Sequence, residues 1–592
     1  MLKCLKRNGF RRLQASVRAM PSQLPRSSIF FRNNSSEGKP PSSSGSPSAN
    51  PPSPSSTTSA DKSQAHPVSI PNTDALQDAN TGVVRRMSFK KPLRAIFEVG
   101  GNLSVVAVML LLHSLFSYKY VTPLNVPQKE RKTLVILGSG WGAISLLRDI
   151  DPSSFNIVLV SPRDYFLFTP LLPSCTVGTL QTTSIIDPLP WIIRGYSNGL
   201  KYHQAECKSV DPKSKTITIG SAPSAPDTEE SVIHYDYLVT AVGAENQTFG
   251  IEGVKKYGHF LKEAGDAEKI KLKIVEILQE LRFNKALSKD DVDRLSHIVV
   301  VGGGPTGAEF AAEMQDFIDE DIQECYPDVH PHLHVSLIEA SPNILAMFTK
   351  SLIDYTRALF KKMHIKVMTK AVVKDVSKDS LAVEFVNAAG GKSISQIPYG
   401  LLVWAAGIKA RPITMQMIST VPEQKGARKG LLVDEYLAVK GMSDVYAIGD
   451  CAFSGLAATA QVAHQQGEAL AINLNVLAKQ DSLQRELESL HRISHSEKVD
   501  DRIAAIENEL LHMSVKPFAY RHQGALAYIG DDKAVAEMHL PFMKKTIPIS
   551  GTLTYYFWRM VYLFELISTK TRVSVLFNWL TTRLFGRSLT NL

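Results

Sequence analysis

The sequence predicts an α/β fold that contains two Rossmann-like domains, and three observations support this. Two glycine-rich turns occur, at 138–143 and at 302–307, and each follows an apolar run typical of a buried parallel strand. From residue 131 onward, apolar strands alternate with helical stretches, as in doubly wound α/β folds. The chain has 592 residues, which is too long for one core and indicates two or three domains.

Each glycine-rich turn has the spacing of a dinucleotide fingerprint. The first glycine makes a tight turn, the second lets the backbone approach a pyrophosphate, and a third small residue lets helix and strand pack closely. The pyrophosphate would lie at the helix N-terminus, where free N–H groups favour an anion. The corresponding residues are Gly138, Gly140 and Ala143 in the first turn and Gly302, Gly304 and Gly307 in the second. Two fingerprints in one chain predict two dinucleotides held face to face.

The residue that ends the strand after each fingerprint indicates how a ribose is held. In the second domain this residue is Glu339, which suits two ribose hydroxyls and would repel a 2′-phosphate, so we expect NADH rather than NADPH. A surface acid at a strand end is the alternative reading. In the first domain Ser161 stands where the acid usually occurs.

Two later strands end in Gly243 and Gly407, where each would meet a bound nucleotide. A further short strand ends in Gly449-Asp450. In flavoproteins with two dinucleotide domains, such an aspartate bonds the ribityl chain of the flavin. The pattern therefore predicts the two-dinucleotide-binding flavoprotein fold. We expect an FAD-binding domain over 131–255 and 395–478, interrupted by an NADH-binding domain over 256–394.

The N-terminal part has a different composition. Residues 1–36 are basic and contain no acid, which is typical of a mitochondrial transit peptide, although a basic tail that binds nucleic acid or lipid is the alternative. A Ser/Pro-rich linker is expected over 37–84. Residues 99–118 carry no charge and are long enough for a transmembrane helix, or else form a core helix or a cleaved sorting signal. The basic residues before this span predict that the catalytic body faces the intermembrane space.

The last part of the chain contains two further regions. A charged insert over 479–516 predicts one or two amphipathic helices, which either pack on the body or serve a partner. Residues 517–592 are rich in aromatic and basic side chains without a span of membrane length. They predict a C-terminal membrane-associating region of two short interfacial helices, with a packed subdomain as the alternative.

The five cysteines have neither CxxC nor CxxxxC spacing, which argues against a disulfide framework, a zinc site or a dithiol pair. No metal and no nucleic-acid partner are expected. The sequence leaves open whether the chain forms a homodimer.

The residues from about 132 to the C-terminus resemble the mitochondrial type II (alternative) NADH:ubiquinone oxidoreductases, and the N-terminal span resembles that of the external, intermembrane-space-facing fungal members. The motifs that carry this resemblance lie at 137–143, 161–173, 240–245, 301–309, 460–466 and 524–530.

The resemblance implies a non-proton-pumping enzyme of the inner mitochondrial membrane with non-covalent FAD, NADH as substrate and ubiquinone as acceptor. It implies that Thr169, Pro170 and Leu171 lie near the isoalloxazine ring. Glu309 would lie near the nicotinamide and assist proton movement, or else only stabilise a helix N-terminus. Gln461 and Gln465 would line a quinone pocket on one helix face, or else be exposed polar residues.

Two other functions remain open at this point. A sulfide- or disulfide-type flavin oxidoreductase would need a redox cysteine pair near the flavin. A membrane-tethered, NADH-sensing flavoprotein would be reduced by NADH without passing electrons to quinone.

Overall fold

The computed structural model describes residues 127–588, apart from 195, 197–199, 222–228, 387–390, 493–495 and 540–545. The predicted transit peptide (1–36), linker (37–84) and transmembrane helix (99–118) lie outside the described residues. Within the described part of the chain, no helix is both long and apolar enough to cross a bilayer.

The first sheet has five parallel strands and contains the first fingerprint. Its strands, in spatial order, are Val445–Ala447, Tyr237–Thr240, Lys132–Leu137, Phe155–Val160 and Leu200–His203. The last four residues of Lys132–Leu137 are all buried, as expected for a parallel strand covered on both faces. The strand before Gly449, Val445–Ala447, therefore joins the first sheet.

The second sheet also has five parallel strands, and it contains the second fingerprint. Its order is His259–Phe260, Leu401–Trp404, His297–Val301, His334–Glu339 and Lys366–Thr369. The two sheets confirm the predicted α/β class with two Rossmann-like domains. The boundary at 394 is wrong for one strand, because Leu401–Trp404 pairs with His297–Val301 rather than with the first sheet. Its apolar pattern suits either sheet, so only the pairing decides its domain.

Smaller antiparallel sheets flank both domains. The three-stranded ones are Ala205–Asp211, Thr216–Ser221 and Ser231–His234 in the first domain, and Ala371–Val376, Ser380–Val386 and Lys392–Pro398 in the second. Two antiparallel strand pairs, Tyr165–Leu167 with Ile186–Pro188 and Ala244–Asn246 with Ile408–Ala410, and one parallel pair, Leu431–Leu432 with Ala452–Phe453, complete the body.

Helices cover the sheets. The first fingerprint helix is Trp141–Asp149 and the second fingerprint helix is Pro305–Phe317, which continues into a π-helical turn at Ile318–Ile322. The other helices of the body are Leu172–Thr176, Leu189–Ile193, Glu252–Tyr257, Ala264–Phe283, Lys289–Leu295, Gln323–Cys325, Lys350–Lys362 and Pro412–Thr420. The charged insert consists of the end of a long helix, Ala460–Leu490, and a second helix, Glu497–His512.

The C-terminal region folds onto the second domain. A sheet of Gly524–Gly530, Lys533–His539 and Thr546–Gly551 precedes two helices, Thr552–Glu565 and Thr569–Phe585, which we call the aromatic helix and the last helix. The two helices were predicted, whereas the sheet was not. Strand Gly524–Gly530 packs on the second fingerprint helix.

The long helix packs closely on the first fingerprint helix through glycine. A Cβ atom added to Gly467 would lie 2.4 Å from the carbonyl oxygen of Gly142 and 2.9 Å from the amide nitrogen of Leu146. The absence of a side chain at Gly467 thus lets two helix backbones meet, which fixes the start of the long helix beside the first fingerprint.

We predict that Gly467→Ala lowers the free energy of unfolding by roughly 1–3 kcal/mol, because the added methyl group forces the two helices apart. The measurement is denaturant unfolding followed by circular dichroism. Gly265→Ala is the matched control, since a Cβ there meets no atom within 4 Å. Equal unfolding midpoints for the two variants would contradict this account of the helix contact.

Candidate functional site

A large cavity of about 1180 Å³ lies where the carboxyl ends of both sheets meet. The predicted site residues that line it are Gly138, Gly140, Ser161, Thr169, Pro170, Gly243, Glu309, Gly407, Gly449 and Asp450. The predicted residues outside its lining are Ala143, Leu171, Gly302, Gly304, Gly307, Glu339, Gln461 and Gln465. The structure therefore brings the first-domain residues and Glu309 together around one space.

The first fingerprint forms a tight turn at the cavity wall. Gly138 has a φ of +107°, and a Cβ there would lie 2.3 Å from the carbonyl oxygen of Ala241. The first fingerprint helix starts after Gly140, whose lack of a side chain leaves the first amides uncapped. Ala143 is fully buried behind the turn, where a small residue lets the helix pack on the sheet. This uncapped helix N-terminus fits the pyrophosphate of a dinucleotide such as FAD.

The second fingerprint repeats this geometry. Gly302 has a φ of +114°, and a Cβ on Gly307 would lie 1.9 Å from the carbonyl oxygen of Gly302. Gly304 precedes the second fingerprint helix without a side-chain cap. Glu339 lies beside this turn, because its Oε2 accepts a hydrogen bond of 2.6 Å from the amide of Gly303. Three residues of this region line the large cavity: Pro305, Thr306 and Glu309.

Serine at position 161 belongs to a small hydroxyl network. The Ser161 hydroxyl donates to Ser139 Oγ at 2.9 Å and accepts from the amide of Arg163 at 3.2 Å. The Arg163 guanidinium lines the cavity and pairs with Glu263 at 2.8 Å. The hydroxyls of Ser139 and Ser161 and the guanidinium of Arg163 thus lie at the strand end where related folds place a ribose-binding acid.

The Gly449-Asp450 turn is held by a residue that the sequence analysis missed. Buried Gln466 accepts a hydrogen bond of 2.7 Å from the amide of Gly449 and donates one of 3.2 Å to Ser454. The carboxylate of Asp450 lies 3.6 Å from the Lys262 ammonium group. Gln466 belongs to the motif at 460–466, but roles were predicted only for its neighbours Gln461 and Gln465.

Glu309 is an acid buried at the cavity wall. Its side chain is 5% exposed and accepts a hydrogen bond of 3.1 Å from the amide of Tyr528. Burial raises the pKa of Glu309 to about 8, the Tyr528 amide opposes this rise, and nearby Glu313 adds to it. Tyr562 of the aromatic helix lines the same cavity. No pattern in the sequence indicates that Tyr528 and Tyr562 approach Glu309, because both contacts depend on how the C-terminal region folds back.

Gln461 and Gln465 hold a loop rather than line the large cavity. Gln461 Oε1 accepts hydrogen bonds from the Tyr520 hydroxyl and from the amide of Gln523. The Gln465 amide exchanges two hydrogen bonds of 2.9 Å with the backbone of Arg521. The two side chains share one helix face, as predicted, and their neighbour Ala460 does line the cavity.

The cysteines in the described part of the chain are free thiols: Cys175, Cys207, Cys325 and Cys451. Cys207 lines the cavity, and burial raises its pKa to about 12, so it stays protonated at neutral pH. Among the described residues, no group of three or more His, Cys, Asp or Glu side chains is arranged to hold a metal ion.

Comparison with known proteins agrees with this geometry. Residues 132–467 match the family described as pyridine nucleotide-disulphide oxidoreductase, and residues 522–588 match the NDH2 C-terminal domain. The chain belongs to the NADH-ubiquinone oxidoreductase (NDH2) family. It is therefore a flavin-dependent oxidoreductase, whose cofactor is FAD and whose substrates are NADH and ubiquinone.

Individual relatives show how far the likeness extends. A probable mitochondrial NADH-ubiquinone oxidoreductase of Schizosaccharomyces pombe is 51% identical, over 86% of this chain and 92% of its own. An external alternative NADH-ubiquinone oxidoreductase of Yarrowia lipolytica is 43% identical, over 78% and 81%. The structure of NDH2 from Plasmodium falciparum in complex with NADH is 28% identical, with a TM-score of 0.66, and covers 78% of this chain and all of that one.

The raised pKa of Glu309 predicts a pH-dependent stability. The folded protein holds a proton on Glu309 up to about pH 8, whereas an unfolded glutamate loses it near pH 4.3. Stability should therefore fall as pH rises between these values, by up to ~1.4 kcal/mol per pH unit from this group. We expect Glu309→Gln to flatten this fall, because glutamine still accepts the Tyr528 amide bond but does not ionise.

The measurement is the free energy of unfolding in denaturant at pH 5, 6.5 and 8. Asp290→Asn, a change at an exposed acid, is the control and should keep the slope of the parent protein. Parallel pH profiles for Glu309→Gln and the parent would contradict the buried, protonated state.

Proposed function

We propose that this protein oxidises NADH and reduces ubiquinone at the large cavity, with the residues around it in the roles given below. The observation that carries the proposal is the continuity of the cavity. It extends from the first fingerprint turn past Asp450 to Glu309 on the second fingerprint helix and to Tyr562 on the aromatic helix. A donor and an acceptor of electrons can thus reach one flavin from two sides.

In the proposed arrangement, FAD lies along the first domain. Gly138, Gly140 and the uncapped helix that they precede would hold its pyrophosphate, with Ala143 setting the close packing behind it. Ser161 would lie at the ribose, and Gly243 and Gly449 beside the nucleotide. Asp450 would bond the ribityl chain. Thr169, Pro170 and Leu171 would lie near the isoalloxazine ring. Thr169 is oriented for this by the indole N–H of Trp141, which donates to its hydroxyl at 3.1 Å. When bound, the flavin accepts a hydride from NADH and passes two electrons onward.

NADH would bind along the second domain, with its pyrophosphate at Gly302, Gly304 and Gly307. Gly407 would contact it at the cavity, and Glu339 would accept hydrogen bonds from its ribose hydroxyls. The Glu339 carboxylate is fixed at this place, since the amides of Gly303 and Ser341 each donate to it at 2.6 Å. We propose that this fixed negative charge repels the 2′-phosphate of NADPH.

Ubiquinone would enter between the start of the long helix and the aromatic helix, where Ala460 and Tyr562 line the cavity. Gln461 and Gln465 would form the quinone site by fixing the loop at 520–523, with the Gln461 amide near the entrance. Glu309 would supply a proton to the reduced quinone, because its buried carboxyl keeps a proton at neutral pH.

The C-terminal region would rest on the inner mitochondrial membrane. The aromatic and last helices leave large apolar side chains exposed, among them Leu553, Phe577 and Phe585, which are 87%, 62% and 83% exposed. Basic side chains such as Lys570 accompany them, which is typical of interfacial helices that contact lipid. We propose that the catalytic body faces the intermembrane space, in line with relatives that are named external.

The first prediction of this proposal concerns electron flow. Anaerobic NADH should bleach the flavin spectrum of the detergent-purified enzyme, and a short-chain ubiquinone should restore it. Replacing both Gln461 and Gln465 by Leu should slow restoration tenfold or more and leave bleaching unchanged, whereas Gln480→Leu, farther along the same helix, should affect neither. Bleaching without recovery in the parent protein would instead indicate an NADH sensor.

The second prediction concerns the nicotinamide cofactor. Glu339→Gln should raise kcat/KM for NADPH by roughly tenfold or more relative to NADH, because one ionic repulsion near the 2′-phosphate is removed. Steady-state rates with both cofactors give this ratio, and Glu324→Gln, at an exposed acid away from the turn, serves as the control. A parent enzyme that oxidises NADPH as efficiently as NADH would overturn the role of Glu339.

A further inference from the structure

A row of acids follows one face of the second fingerprint helix. Glu309, Glu313 and Asp316 are three or four residues apart, which places them on the same side of the helix, and Glu320 follows in the π-helical turn. The first three are 5%, 4% and 5% exposed, whereas Glu320 lies at the surface. Buried acids are costly unless they are bonded or protonated, so a row that leads from the large cavity to solvent requires an explanation.

Each buried acid of this row has defined partners. Glu313 accepts hydrogen bonds from the hydroxyls of Ser174 at 2.6 Å and Thr179 at 2.7 Å. Asp316 accepts from the Tyr528 hydroxyl at 2.5 Å, and the amide of the same tyrosine donates to Glu309. The row is therefore held on both sides by donors, which fix the positions of its carboxyl groups.

A second, independent feature connects the buried acids to the surface. A small polar cavity of about 50 Å³ is lined by Glu313, Glu320, Tyr528 and Arg587. This volume is sufficient for water. The Arg587 guanidinium, which also lines this cavity, binds Glu320 at 2.9 Å. Water in this cavity would bridge the distance along the helix between Glu313 and Glu320.

The charged groups around the row come from several elements. Several titratable and charged groups face the row besides its own acids. They are Asp321 of the π-helical turn, Tyr528, Asp531 and Asp532 from the C-terminal sheet, Tyr555, Arg559 and Tyr562 from the aromatic helix, Arg583 from the last helix, and Arg587. Burial raises the pKa values of Glu309 and Asp316 to about 8. Such values suit groups that exchange protons near neutral pH.

We propose that this helix face conducts protons from the aqueous surface at Glu320, through the water of the small cavity and Glu313, to Glu309 at the large cavity. The proposal rests on the proposed function. NADH, one proton and the quinone give NAD⁺ and the quinol, so two electrons and one solvent proton are needed in each turnover. As the Glu309 O–H bond breaks, a quinol O–H bond forms, and the Glu309 carboxylate then regains a proton along the row. A path through the protein is needed because the side of the site formed by the aromatic helix would face lipid.

The test uses the detergent-purified holoenzyme and separates its two half-reactions. In Glu313→Gln, restoration of the NADH-bleached flavin by a short-chain ubiquinone should slow tenfold or more above pH 7, with a larger solvent deuterium isotope effect. Bleaching by NADH should keep its rate. Asp319→Asn is the matched control, since this exposed acid of the next turn accepts a hydrogen bond from Gln315 instead of bonding the row.

A readout without turnover is the infrared band of the protonated carboxyl in the oxidised enzyme, identified by its loss in Glu309→Gln. In Glu313→Gln the pH at which this infrared band is half lost should fall, because the negative charge of Glu313 next to Glu309 is removed. If Glu313→Gln fails to fold, Glu320→Gln at the surface should show the same slow restoration above pH 7.

Two results would overturn the proposal, and they differ. If the parent enzyme is bleached by NADH but not restored by quinone, the proposed function fails and the proton path fails with it. If the parent is restored while Glu313→Gln and Glu320→Gln match Asp319→Asn in rate, isotope effect and pH profile, only the proton path fails.

Discussion

The constraint on which the site depends is that two helix N-termini lack their own caps. A helix start leaves backbone N–H groups without partners, and Ser, Thr, Asp and Asn side chains are the residues preferred for capping them. Here glycine precedes both fingerprint helices, at Gly140 and Gly304, so neither start has such a cap. The glycines at 138 and 302 bring each strand end against neighbouring backbone with positive φ. An anion at each turn would satisfy these amides, which makes the two starts suited to two pyrophosphates.

The C-terminal region completes the site as well as covering it. Strand Gly524–Gly530 packs on the second fingerprint helix, and the Tyr528 amide bonds the buried carboxyl of Glu309. The aromatic helix adds Tyr562 to the wall of the same cavity. Without this region Glu309 would be open to water, and its pKa would return towards the ordinary range for glutamate. The part of the chain that we propose to contact lipid therefore also buries Glu309 and keeps its pKa raised.

Much of this architecture could be predicted from the sequence, because glycine turns after apolar runs have few structural solutions. The carboxylate of Glu339 lies beside the second turn, where it bonds the amide of Gly303, and its role at the ribose stays a prediction. The strand Leu401–Trp404 was assigned to the wrong domain, since pattern alone does not tell which parallel sheet a strand joins. The roles of Gln466 and Tyr528 could not be predicted, because they depend on contacts between segments far apart in the chain. For Gln461 and Gln465, the helix face was predictable but the loop that they bind was not.

The central claim is that quinone reaches the cavity between the long helix and the aromatic helix, and photo-cross-linking tests it most directly. The holoenzyme would be irradiated with an azido-substituted short-chain ubiquinone, digested and analysed by mass spectrometry. The account predicts labelled peptides from 458–466 and from Thr552–Glu565, with labelling suppressed by excess unmodified ubiquinone. Specific labelling confined to the outer strand of the second sheet, Lys366–Thr369, or to the charged helix Glu497–His512 would contradict it.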